Sequence, residues 1–187
     1  MSAPWSYGLP TSVEIGGTEY RIRSDYRVIL DICAALDDAE LTGTEKGVVA
    51  LNIFYIDFEK IPTDMYQEAI QKCLWFIGCG DDAPHKKATK LVDWEKDYSY
   101  IISPINKVAG KEIRELEYLH WWTFIGYYYE IGDCIFAQIV RTRDMLARGK
   151  KMDKSDREWY ERNRDLVHIE KKYTGAEKDT LAAWGVK

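Results

Sequence analysis

The sequence predicts a mainly α-helical fold: a single-domain bundle of about six to seven helices with an N-terminal β-hairpin. Three observations carry this. Apolar residues from position 24 onward recur at the three- and four-residue spacing of amphipathic helices. Residues 11–23 alternate instead, around a paired glycine. Residues 118–129, YLHWWTFIGYYY, hold seven aromatic rings and no formal charge, and at 3.6 residues per turn these rings point in every direction. Such a segment calls for burial by other elements or by a partner, and it is shorter than the roughly 20 residues a membrane span needs. It is expected to be the central helix of a soluble domain.

In the hairpin, Val13 and Ile15 alternate with Ser12 and Glu14, and Tyr20 and Ile22 with Arg21 and Arg23. Gly16-Gly17 suits a two-residue turn that sets Ile15 opposite Thr18 and Val13 opposite Tyr20. A lone hairpin is marginal in water, so this one should lie on the helical body or pair with another chain. Ser24 or Asp25 then caps a helix presenting Ile29, Ile32, Cys33 and Leu36. Thr42 and Glu45 have capping-box spacing before a helix carrying Val48, Leu51, Phe54, Tyr55 and Phe58. Pro62 suits the first turn of a third helix, with Tyr66, Ile70, Cys73, Leu74 and Ile77 apolar and Gly78 and Gly80 as stops.

Residues 79–90 read as an exposed loop open to proteolysis. Asp93 begins a fourth helix, which Pro104 should bend or end nearby. The aromatic helix is expected over about 113–131, and another helix over 134–148 with Ile135, Ile139, Val140 and Leu146 on its apolar side. Ser155 and Glu158 repeat the capping-box spacing before a polar helix reaching about Lys172, with Trp159, Leu166, Val167 and Ile169 its few apolar positions. Trp184 could anchor the tail. The expected organisation is a hairpin plus helical core over 1–148 and a polar, mildly basic helix and tail over 149–187.

A chain of 187 residues can bury a sizeable core. Its net charge of −5 is uneven: residues 141–172 hold eleven Lys/Arg against seven Asp/Glu, a local +4 that leaves −9 elsewhere. An acidic body with a sign-mixed arm argues against nucleic acid as the partner. The N-terminus lacks the basic-then-apolar pattern of a signal peptide, so cytoplasmic synthesis is expected. Cys33, Cys73, Cys79 and Cys134 lie in or beside apolar runs and read as buried free thiols.

Chemistry is weakly signalled. His120 has no metal-ligand partner at helical spacing, so it reads as a core ring satisfying a backbone or carboxylate group. Cys73, Cys79 and His85 lack a fourth zinc ligand. Asp93, Glu95 and Asp97 suit the positive end of a helix dipole better than a magnesium site. No catalytic residue, metal ligand or cofactor is expected.

Three stretches carry a resemblance: VEIGGTEYRIRSDYRVIL (Val13–Leu30), DWEKDYSYI (Asp93–Ile101) and above all LHWWTFIGYYYEI (Leu119–Ile131), followed by the basic IVRTRD. Through them the chain resembles the bacteriophage Gp-fifteen family, small proteins of siphophage-type tail modules in Gram-positive hosts. Pro104 and the AGKEIRE connection depart from its pattern, which bears on the local helix boundary. The resemblance implies a non-enzymatic protein encoded beside the major tail protein and tape-measure genes. By analogy with tail-assembly chaperones, it would bind the helical, aggregation-prone tape measure protein in the cytoplasm of the infected host and be absent from the mature virion. Tail-tube protein, a second tail chaperone or a second copy are further partners of this kind. The alternatives are a structural virion component, such as a tail-completion or connector protein, and a metal-dependent enzyme using Asp93, Glu95, Asp97 or His120.

Candidate groove residues for a helical client are Trp121, Trp122, Tyr127, Tyr128, Tyr129 and Trp159, with core packing as the competing reading for the aromatic run. The hairpin edge could pair with another subunit, and the C-terminal helix could clasp the client.

Overall fold

The computed structural model describes residues 8–81, 89–170 and 174–175. Among them are eight α-helices behind a two-stranded antiparallel sheet, the mainly α architecture with an N-terminal hairpin that the sequence predicts. The described chain clusters into two compact units, one of residues 8–81, 117–125 and 174–175, the other of 89–116 and 126–170. The expectations for His85, for most of the 79–90 loop and for Trp184 lie outside the described residues. No described helix is long and apolar enough to cross a membrane.

In the first unit, strands β1 (Ser12–Ile15) and β2 (Thr18–Arg21) pair in the expected register, with Ile15 opposite Thr18 and Val13 opposite Tyr20. Gly16 and Gly17 both have positive φ, 55° and 78°, as a turn matched to the strands' twist demands. Val13, Ile15 and Ile22 are buried, so the hairpin lays its apolar side on the helical body. Beyond β2, Ile22 bridges Tyr55, and the Arg23 guanidinium donates to the carbonyls of Asn52, Ile53 and Tyr55 at 3.1, 2.8 and 2.7 Å. A cation there satisfies the orphan carbonyls at the C-terminal end of α2 (Gly43–Phe54). At the other end of α2, Thr42 and Glu45 form the reciprocal capping box.

Helix α1 (Tyr26–Asp37) is capped by Asp25 and buries Tyr26, Ile29 and Ile32. Helix α3 (Tyr66–Ile77) starts later than Pro62 suggests, because Thr63–Met65 forms a tighter 3₁₀ turn first. Its buried face is Ala69, Cys73 and Phe76, while Leu74 is exposed. All four cysteines are free; Cys73 alone is fully buried, the others being half-buried. Burial, with Cys33 nearby, pushes the Cys73 thiol up to about 12.

The second unit is built on α4 (Trp94–Ala109), capped by Asp93 and closed by Gly110 with φ 68°. Pro104 does not end the helix, which runs past it for five residues. Proline removes one internal hydrogen bond, but Ile101, Ile102 and Ile105 bury a continuous face across it. Helix α6 (Ile135–Ala147), N-capped by Cys134, buries Phe136, Ile139, Thr142 and Arg143. The predicted apolar side is thus displaced: Ile135 and Leu146 are exposed. The expected single C-terminal helix is two, α7 (Lys154–Arg162) and α8 (Arg164–Val167), broken at Asn163. Asp153, rather than Ser155, caps α7 by accepting from the Asp156 amide at 2.8 Å.

At the centre of this unit lies a buried ion pair with no apolar signature. Arg143 and Asp97 are 5% and 1% exposed and meet through two bonds of 2.5 and 2.9 Å. The other three guanidinium donors reach the carbonyls of Leu91, Leu166 and Val167 at 2.9, 2.8 and 2.7 Å. All five N–H groups of the fork are therefore used. Asp97 also accepts from the Asp93 amide at 2.9 Å. One side chain ties α4, α6, the end of α8 and the approach to α4 together.

Candidate partner-binding surface

Helix α5 (Trp121–Tyr129) has its residues through Ile125 in the first unit and those from Gly126 in the second. It is shorter than the predicted 113–131. Ile113–Glu115 is a single 3₁₀ turn, and His120, just before α5, forms an isolated antiparallel bridge with Asp25. Tyr26 donates to the Leu119 carbonyl at 2.9 Å and Trp121 to that of Ser24 at 2.8 Å. Asp25 completes the join: one carboxylate oxygen accepts from the Leu119 amide at 3.0 Å, the other from the Arg27 amide. Burial would raise the Asp25 carboxyl, but the bonds from Arg27 and Leu119 outweigh it and hold it below its ordinary value.

The helix is one-sided rather than buried all round. Trp121, Phe124 and Ile125 are buried. Trp121 is 2% exposed, stacks on Phe124 at 5.5 Å and donates its indole N–H to the Ile77 carbonyl at 2.9 Å. It is core, with no surface to offer a client. Trp122 is half-buried; its indole donates to the Phe76 carbonyl at 2.9 Å and its ring meets Trp75 edge-on at 5.6 Å. Gly80, at φ 88°, fits against that pair, where a Cβ would come within 3.3 Å of Trp122.

His120 is held between backbone groups. Its Nδ1 accepts from the Trp122 amide at 3.0 Å, so the proton sits on Nε2, which faces the Pro10 carbonyl at 3.0 Å. Burial lowers its pKa, against the opposing pull of the Pro10 carbonyl. This is the structural histidine the sequence suggests. Asp93 and Asp97 are likewise taken up by a helix cap and by the Arg143 pair. Among the described residues no group of three His, Cys, Asp or Glu side chains is arranged to hold a metal ion.

The remaining candidates belong to the second unit. Tyr127 is half-buried. Tyr128 is also half-buried, with its ring 5.4 Å from Trp94, 5.8 Å from Phe136 and 5.8 Å from Tyr129. Burial, then neighbouring Tyr129, Asp97 and Cys134, pushes the Tyr128 hydroxyl up to about 12. Tyr129 stands out of this cluster at 76% exposure, and Ile135, beside the buried Phe136, is 61% exposed. Trp159 is half-buried on α7, and the structure records no ring contact joining it to the tyrosines. Of the six aromatic candidates, only Tyr128 and Tyr129 are thus brought into ring contact in this unit. Sequence patterning missed Ile135, because an apolar residue in the first turn of a helix looks like any other core position.

In the first unit an open groove of about 530 Å³ follows the polar face of the hairpin, with Arg21, Glu19, Ile56 and Tyr118 among its walls.

Comparison with known proteins agrees with the sequence resemblance. The family model described as Bacteriophage Gp15 protein matches residues 7–169, most of the chain. No curated protein and no solved structure matches it.

Proposed function

This chain belongs to the bacteriophage Gp15 protein family, and from that premise we propose that it is a non-enzymatic tail-assembly protein that binds the tape measure protein as a chaperone. It acts in the cytoplasm of the infected host and leaves before the virion matures. The reading draws on the expected position of such genes beside those for the major tail and tape measure proteins.

One observation supports a client-binding role above others. Tyr129 and Ile135, the two most exposed large apolar side chains among the described residues, flank a single turn of chain. Apolar side chains held out on a helical scaffold suit the burial of one face of an amphipathic helix. The buried polar groups His120, Asp93, Asp97 and Arg143 hold backbone and one another, which accords with a binding role.

Co-expression with fragments of the same phage's tape measure protein tests the proposal. The expected outcome is a stoichiometric complex that keeps an otherwise insoluble fragment in solution. A folded protein that binds no fragment, and that is found in purified virions, is a structural component instead.

A further inference from the structure

Resting on that reading, we infer that the turn joining α5 to α6 is the client-docking site, and that its occupant is a helical segment with an apolar stripe flanked by Lys or Arg. The first observation is that the turn is built to stay in place. Tyr128 is wedged among Trp94, Tyr129 and Phe136, and Phe136 is buried. Gly132 takes φ 61°, and the Cys134 sulfur accepts from the Ala137 amide at 3.4 Å to start α6. Tyr129 and Ile135 are therefore exposed from fixed backbone, and anchors held in this way lose little entropy on binding.

The second observation is charge. Glu130 and Asp133, both exposed, are the only charged residues between His120 and Arg141. The apolar pair thus has acidic groups in its connecting turn and no cation within that stretch. A partner helix with basic residues beside its apolar stripe complements both features, whereas an acidic one meets like charge next to the anchors.

The test uses the full chain with the tape-measure fragment that co-purifies with it. A photo-crosslinking residue is placed at 129 or 135, with controls at Val48 and Leu74, exposed apolar positions of the first unit. Crosslinks from 129 and 135 to a Lys/Arg-flanked helical segment are expected. Tyr129→Ala with Ile135→Ala should weaken the complex about tenfold without lowering Tm. Glu130→Lys with Asp133→Lys should weaken it about threefold and flatten its salt dependence.

Unchanged affinity of the alanine pair overturns the inference. So do crosslinks only from 48 and 74, or crosslinks from 129 and 135 to a second copy, with the complex still formed. Those results leave the chaperone reading standing. Failure of every fragment to bind removes that reading and this site with it.

Discussion

The most deeply buried contacts of the two units differ in kind. In the first, Phe124 stacks between Tyr26 at 4.7 Å and Trp121 at 5.5 Å, and Phe76 joins Phe54 and Trp122. Apolar packing of this kind is non-directional and accepts shape changes with modest loss. In the second, Arg143 spends five directed bonds on one carboxylate and three carbonyls, and a buried carboxylate loses its counter-ion if the fork is lost. The difference teaches that similar burial can conceal very different tolerance to substitution.

Conservative substitutions break the comparison most sharply. Arg143→Lys retains the charge but offers three donors for five bonds, so it should lose about 3–5 kcal/mol of stability. Phe124→Leu, equally buried, should lose about 1.5 kcal/mol. Urea unfolding of both variants measures the gap, and equal losses would mean the ion pair is no more exacting than the aromatic stack.

A smaller effect lies at Asp25, a directed joint in the aromatic unit. Asp25→Ala removes the cap of α1 and the bond to Leu119 and should lose about 1–2 kcal/mol at pH 7. Because the folded protein holds this carboxyl below its ordinary 3.8, the stabilisation is present above that pH and is lost as pH falls through the lowered value. The variant and the parent should therefore converge in stability as pH falls through that lowered value.

The smallest effect is at His120. The folded state disfavours the charged ring, so the unfolded chain takes up its proton first, and stability falls as pH drops below about 6.5. His120→Asn keeps an acceptor for the Trp122 amide but does not titrate. Its fall in Tm between pH 7 and pH 5 should be smaller than the parent's, by about 2 °C. Parallel pH profiles would show that the ring carries no such linkage.

The same contrast explains how much was legible in the sequence. The hairpin register, the Thr42–Glu45 box and the Asp93 cap are local: each is decided by residues a few positions apart, and each is found as expected. The start of α5 was not legible, because the bridge of His120 to Asp25, some ninety positions away, holds the chain out of the helix until Trp121. Nor was the Arg143–Asp97 pair, since a buried arginine sits in the same helical pattern as its exposed neighbours Arg141 and Arg148. At the candidate site, composition drew attention to the aromatic run but could not sort it. Trp121 goes inward and Tyr129 outward because α5 has one buried face, and a segment apolar all round carries no phase from which to read that face.

The indole donors of Trp121 and Trp122 have a consequence for how the chain is made. They satisfy carbonyls at the end of α3, more than forty residues upstream, and the intervening stretch includes part of the other unit. A nascent chain emerging from the ribosome therefore carries the end of α3 without its two indole donors until the aromatic helix is translated. Contacts of such sequence separation are slow to form and leave apolar surface open meanwhile. The first unit is completed late, although most of it is synthesised first.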